Sequence, residues 1–251
     1  MPRDAWNPAQ YDRFRAERQQ PFFDLLGLVR PQPRMRAVDL GCGTGELTSA
    51  LHRRLGARET LGLDSSDAMI ARSDRHAEPG LRFERGDIAD FVASEPFDLV
   101  FSNAALHWLP DHDALLARLT RTLAPGGQLA VQIPSNHDHP SHVVAAELAA
   151  DFGIAPRESP VLVPEAYALV LDRLGYAEQH VRLQVYVHHL ESRAGVVEWV
   201  KGTLLTDYER RLSPENFARF LESYRARLLP RLEDAHPYVY PFKRILMWAR
   251  R

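Results

Sequence analysis

The residues richest in chemical possibility lie between Ala37 and Thr48, where the chain reads AVDLGCGTGELT. Asp39 stands two residues ahead of three glycines in five positions, Gly41, Gly43 and Gly45. An apolar run enters this cluster and an amphipathic pattern from Glu46 to Leu55 leaves it, the order of a strand, a tight turn and a helix. Glycines so spaced let the backbone approach a ligand closely. Two phosphate-binding turns are disfavoured. A dinucleotide turn needs glycine at its first, third and sixth positions, and the sixth here is Glu46, a carboxylate where a pyrophosphate would need the helix N-terminus. A phosphate loop would end in Gly-Lys-Ser/Thr, which is missing. A flat or zwitterionic ligand fits better, with Asp39 able to accept from an ammonium group; a purely structural turn is the alternative. Asp64 ends the next apolar run, roughly 20 residues beyond the glycines, where a carboxylate can take two ribose hydroxyls. Asp87 and Ile88 follow the third run, where an adenine amino group and face would lie, and could equally be a turn cap and a core residue. Met69 reads as cofactor wall or core.

The elements that must position these residues alternate between strand and helix, which argues for a doubly wound, mostly parallel sheet with crossover helices. The pattern predicts strands over Ala37–Leu40, Glu59–Leu63, Leu81–Arg85, Leu99–Ser102, Leu129–Ile133 and Glu178–His188, with a seventh in the closing KRILMWARR at 243–251. Helices are expected over Glu46–Leu55, Ser66–Ala77, Asp113–Leu123, Val143–Phe152 and Pro164–Leu174. The Asp113–Leu123 helix should stop at APGG, 124–127, by ordinary turn chemistry. Residues 191–233 read as a helical insert in which Ser213 caps a helix opened by Pro214. The whole chain of 251 residues reads as one domain: an N-terminal helical lid over 1–30, a cofactor-binding core over 31–135, helices over 136–177, the insert over 191–240 and a last strand.

Composition narrows the partners. With 31 basic and 33 acidic residues the net charge is −2, so the chain has no global footprint for nucleic acid. Only Lys201 and Lys243 are lysines, and the lone Cys42 cannot form an internal disulfide. No signal-like or membrane-spanning run appears, and a cytoplasmic protein is expected. Oligomeric state is open and compatible with a monomer. His188-His189 lack a carboxylate or cysteine partner at metal-ligand spacing, and neighbouring residues on a strand face opposite ways, so no metal is expected.

The ordered set Asp39, Gly41, Gly43, Asp64 and Asp87 resembles the S-adenosylmethionine site of class I methyltransferases. The likeness extends further. WNPAQYDRFRAERQQP (6–21), FSNAALHWLPDH (101–112), LAPGGQLAVQIPSN (123–136), WVKGT (199–203) and PFKRILMWARR (241–251) together resemble the trans-aconitate 2-methyltransferase family nearly end to end. Such a resemblance implies a seven-stranded Rossmann-like fold, S-adenosyl-L-methionine as cofactor, and methyl transfer to a carboxylate of a small polycarboxylic acid, giving a monomethyl ester. Tyr11, Ser65, Met69, Ile88 and Asn103 join the aspartates and glycines in the implied cofactor set. For the acceptor, the candidates are His107 after the fourth strand, Arg18 in the N-terminal amphipathic stretch, and Lys201 and Arg244 in the C-terminal half. Arg18 reads equally as a solvated arginine, and His107 as a structural histidine. Three rivals stand beside this reading: a carboxyl methyltransferase for a malonyl-carrier protein, which would show a basic face among Arg210, Arg211, Arg219, Arg225, Arg227 and Arg231; a nicotinamide oxidoreductase, disfavoured by Glu46; and a non-catalytic adenosylmethionine-binding protein.

Overall fold

The computed structural model describes the backbone from Arg15 to Arg251 and the side chains from Gln19 onward, so Tyr11 and the side chain of Arg18 lie outside the described residues. Helix α1, Arg15–Leu26, precedes the core strands β1, Arg36–Leu40, β2, Glu59–Asp64, β3, Leu81–Arg85, β4, Phe97–Asn103, and β5, Leu123–Pro134. Between them run α2, Glu46–Leu55, α3, Asp67–Ser73, and α4, His112–Arg121. Then come α5, Pro140–Ala149, α6, Pro164–Arg173, and β6, Glu178–Leu190. After them follow α7, Ala194–Lys201, α8, Leu205–Arg211, α9, Pro214–Leu228, and β7, Tyr238–Arg250.

The seven strands lie in the order β3-β2-β1-β4-β5-β7-β6. Neighbours from β3 through to β5 are parallel, and β7 runs antiparallel to β5. Strand order therefore reverses between β1 and β4, the place where an open α/β sheet parts its carboxyl edge to admit a ligand. Every residue of β1 is buried, as a central parallel strand covered on both faces requires. On one face Val38, Leu61, Val100, Leu129 and Met247 pack with Leu115, Leu119, Tyr167 and Leu171 of α4 and α6. Across the sheet the Phe22 ring of α1 lies 4.9 Å from that of Phe101.

By density of internal contact the chain forms two compact units. One holds Ala16–Pro134, Pro160–Gln184 and Arg244–Arg251, with the five parallel strands. The other takes Ser135–Ser159 and Val185–Lys243 and has its own core, in which Trp199, Tyr208, Phe220, Tyr224 and Tyr240 are fully buried.

Three expected boundaries are corrected. Residues 124–127 do not merely stop α4. They lie in β5 as an irregularity in which four residues oppose the single Asp98, Leu123 pairing with Phe97 and Gln128 with Leu99. β7 begins at Tyr238 rather than Lys243, and its Pro241 sits at an exposed position of an alternating pattern where Tyr238, Tyr240 and Phe242 are buried. α5 starts three residues early because His139 caps it, its Nδ1 accepting from the Ser141 N–H at 3.1 Å, a residue type outside the usual capping set.

One buried hydrogen-bonded chain links helix packing to the loop after β4. The His112 Nε2 donates to the Leu106 carbonyl at 3.1 Å, which leaves Nδ1 to accept from the Tyr167 hydroxyl. That hydroxyl accepts in turn from the Leu162 N–H at 3.2 Å. Burial holds the His112 ring below the ordinary histidine range, consistent with this neutral tautomer. Replacing Tyr167 by Phe leaves a buried ring nitrogen and an N–H without their partner, and should lower the unfolding free energy by about 1 to 3 kcal/mol in urea denaturation. Undiminished stability would show that the hydroxyl carries no such bonds.

Candidate functional site

The site is built at the carboxyl ends of β1, β2 and β4, all in the first unit. The N–H groups of Gly41 and Cys42 both donate to the Leu63 carbonyl, at 2.8 and 3.0 Å, so the turn is moored on β2 as it leaves β1. Asp64 completes the mooring. Its Oδ2 accepts from the Gly43 N–H and its Oδ1 from the Ser66 N–H, each at 2.9 Å. Ser65, exposed between Asp64 and Ser66, receives Arg85 Nε at its carbonyl at 3.4 Å.

Two glycines show why side chains are excluded. Gly41 has φ +83°, and a Cβ there would come 2.3 Å from the Ala105 Cβ and 3.8 Å from the Ile88 Cδ1. The turn, the loop after β4 and the residue expected at an adenine face therefore converge. At Gly43, with φ +55°, a Cβ would meet nothing within 4 Å. Open space over that backbone, beside two carboxylates, suits a ligand that carries positive charge and no phosphate.

Asp39 lies beneath the turn, 3% exposed, and accepts from the Thr48 hydroxyl at 2.6 Å. Burial pushes its carboxyl up to about 7; the Thr48 bond opposes the rise and the nearby Asp64 charge adds to it. Thr48 went unremarked in the sequence, where its place on the inner face of α2 was the only signal. Asp87 is exposed and its Oδ1 accepts from the Ala89 N–H at 2.8 Å, so it does cap the short 3-10 turn Ile88–Asp90, with one of its two oxygens. Met69 is 5% exposed and its N–H donates to the Ser66 hydroxyl at 3.2 Å, which makes it part of the packed start of α3.

Asn103 ends β4 in register with Gln132 of β5, and its buried Oδ1 has no hydrogen-bond partner among the described residues. The next residue, Ala104, takes φ +56° and donates its N–H to the Gln132 carbonyl at 3.0 Å. A non-glycine residue in the left-handed region at a strand's carboxyl end is local strain of the kind found at binding sites. His107 is half-buried in the turn Leu106–Trp108, its ring 4.9 Å from that of Trp108, and His112 holds this turn through Leu106. Arg244 is 5% exposed on β7 and donates from Nη1 to the Gln132 Oε1 at 3.4 Å. Lys201 belongs to the other unit, where its ammonium meets Glu198 at 3.0 Å. Arg18 has its backbone in α1 and Tyr11 precedes the described residues. Gln132 was not singled out, although a glutamine in the apolar run LAVQIP was a legible signal. Among the described residues no three His, Cys, Asp or Glu side chains gather as a metal site.

A parallel sheet reversed at β1/β4, a glycine turn with space above it and a carboxylate moored at the end of β2 together define a class I methyltransferase. Residues 37–127 match the family model described as a methyltransferase domain. Among solved structures, YcgJ of Bacillus subtilis superimposes with a TM-score of 0.61 at 13% identity, covering 93% of this chain and 98% of that one, a likeness of fold. Relatives at higher identity narrow the class. The chain is 46% identical to a trans-aconitate 2-methyltransferase of Deinococcus radiodurans, over 98% of each chain, and 39% identical to one of Methylobacterium nodulans, again over 98% of each. It belongs to the trans-aconitate 2-methyltransferase family, and its methyl donor is S-adenosyl-L-methionine.

Two outcomes are expected of this site. Asp64→Ala removes the acceptor of two backbone N–H groups; if the same carboxylate takes the ribose, S-adenosylhomocysteine affinity should fall by about 1 to 3 kcal/mol, with a lower melting temperature. Unchanged calorimetric affinity would take Asp64 out of the site. For Asp39, a ligand ammonium favours the ionised carboxylate, and the raised pKa means the free protein carries a proton there below about 7. S-adenosylhomocysteine should thus bind more tightly as pH rises from 6 to 8. Asp39→Asn should flatten that dependence, and a profile identical to wild type would remove Asp39 from ammonium recognition.

Proposed function

We propose that this protein transfers a methyl group to one carboxylate of trans-aconitate or a closely similar small polycarboxylic acid, forming a monomethyl ester. The observation that carries the reading is the 46% identity, over 98% of each chain, to a protein named for that activity. S-adenosylmethionine, when bound, supplies an electrophilic methyl group that passes to the carboxylate oxygen, the carbon–sulfur bonding pair remaining on sulfur and no proton moving. The chain's own tasks are then to bind, align and exclude water. Asp64 takes the ribose; Asp87 and Ile88 take the adenine; Ser65 and Met69 lie beside them. Asp39 and Asn103 accept from the ammonium group, and Gly41 and Gly43 admit the ligand to the backbone. Tyr11 remains a candidate contact to the cofactor. No general base is called for, because a carboxylate with a reference pKa near 4 is already ionised at neutral pH. His107 serves as an orienting donor.

Arg18, Lys201 and Arg244 are the candidates for the acid's remaining carboxylates. Arg244 has the strongest support, being buried at the sheet edge next to Gln132, whereas the Lys201 charge is already met by Glu198. The carrier-protein alternative loses its main support: Arg211 pairs with Asp207, Arg225 with Glu198, Arg227 with Asp151 and Arg231 with Glu147. Among the described residues no helix is long and apolar enough to cross a membrane.

The test is a panel. Incubation with methyl-labelled cofactor and di- and tricarboxylic acids should give a labelled monomethyl ester of trans-aconitate by mass spectrometry. At saturating cofactor the rate should not climb between pH 6.5 and 8. A steep rise that disappears in His107→Gln would mark His107 as a general base and end the carboxylate reading.

A further inference from the structure

β5 carries two glutamines on one face, four residues apart, and both are fully buried. Gln128 is a structural amide. Its Oε1 accepts from the Arg30 N–H at 2.9 Å and from the Trp248 Nε1 at 2.8 Å, and its Nε2 donates to the Arg30 carbonyl at 2.7 Å. Gln132, at the carboxyl edge, is different: its Oε1 accepts from Arg244 Nη1, and its Nε2 has no hydrogen-bond partner among the described residues. The amide's orientation is fixed by chemistry, since a guanidinium can only donate and must face the oxygen. A buried NH2 group without an acceptor is destabilising, and a fold that keeps one has a use for it.

The sheet order says what that use is. Asp64 on β2 and Asp87 after β3 set the nucleoside end of the cofactor site, the glycine turn on β1 follows, and Asn103 ends β4. β5 is the next strand outward, and with the nucleoside toward β2 and β3 on the proposed reading, the methyl-bearing end of the cofactor would face it. We propose that the Gln132 side-chain amide donates to an oxygen of the acceptor carboxylate that is esterified, and that Arg244, besides its candidate role toward a remaining carboxylate, holds the amide in that orientation through Nη1. This rests on the acceptor reading above. A neutral donor suits the reaction. The reacting carboxylate loses its negative charge as the O–CH3 bond forms and the C–S bond breaks, so a full cation upon it would stabilise the ground state more than the transition state. An amide aligns the group while holding it less firmly.

The experiment compares wild type with Gln132→Glu, which keeps an oxygen for Arg244 and replaces the donor by an acceptor, and with Gln132→Met, which removes both. Each should lower kcat/KM for trans-aconitate by about 10- to 100-fold, the worth of a hydrogen bond to a charged group. Calorimetric binding of trans-aconitate to the protein–S-adenosylhomocysteine complex should weaken in parallel. Affinity for S-adenosylhomocysteine itself should not change, and it doubles as the control for folding. Acceptor binding equal to wild type in both variants overturns the proposal. So does a loss of S-adenosylhomocysteine affinity by the same factor, which would assign Gln132 to the methionine tail. If wild type esterifies a monocarboxylic acid and no polyacid, the acceptor reading falls, and the same comparison on that monoacid decides Gln132.

Discussion

The site depends on one carboxylate, that of Asp64. By accepting from the N–H groups of Gly43 and Ser66 it ties the glycine turn after β1 to the start of α3. Without that tie the Gly43 N–H would lose its acceptor and the turn would rest on the Leu63 carbonyl and its own Gly45–Cys42 bond, and glycine loses more freedom on ordering than any other residue. The same tie brings negative charge close to the buried Asp39, whose carboxyl is raised to about 7 mainly by burial, with Asp64 adding to it. A carboxyl raised to about 7 is partly protonated at neutral pH, which eases the repulsion between the two groups. On the proposed reading, a ligand bearing both an ammonium and a sulfonium would reverse that balance, so that the cost of the arrangement without ligand becomes affinity for a cation with it.

Across the switch point the chemistry inverts. The edge formed by β4, β5 and β7 carries neutral amides at Asn103 and Gln132 and a guanidinium at Arg244, with no carboxylate among these three residues. On the proposed reading, negative charge on the β1/β2 side would match a cationic donor, and donors on the β5/β7 side an anionic acceptor. On the proposed reading, the reaction annihilates opposite charges at the border between them, where Ala104 holds a strained left-handed conformation after Asn103. The Ala104 N–H is held by the Gln132 carbonyl, and His112, itself bonded to Tyr167, holds the following turn through the Leu106 carbonyl.

Much of this was legible in sequence because parallel strands covered on both faces are written as apolar runs, and such runs with a glycine turn after the first are hard to mistake. Residues 81–85 and 46–55 were delimited to the residue. What escaped were features that depend on partners distant in sequence. β7 hid its first half behind Pro241, which reads as a breaker and precedes the residues of β7, Arg244 to Arg250, that pair with β5. His139 as a helix cap depends on the rotamer of its ring. Gln132 becomes informative only when Arg244, 112 residues away, is seen to occupy its oxygen and no described residue its nitrogen.

The adjacency of Gln132 and Arg244 also bears on which carboxyl of a polyacid would react. A carboxylate seated on a guanidinium is held by a charge-assisted bond roughly twice as strong as a neutral one and would lose that bond on becoming an ester. One seated on an amide loses less. On the proposed reading, two such groups side by side would sort the carboxylates of one molecule: the more firmly held would remain a spectator that anchors the acid, and the more lightly held would be free to give up its charge. A monoacid has no second carboxylate to anchor and could occupy the guanidinium unproductively. Regioselectivity and preference for a polyacid would then have a single origin, the unequal electrostatics of two neighbouring donors on β5 and β7.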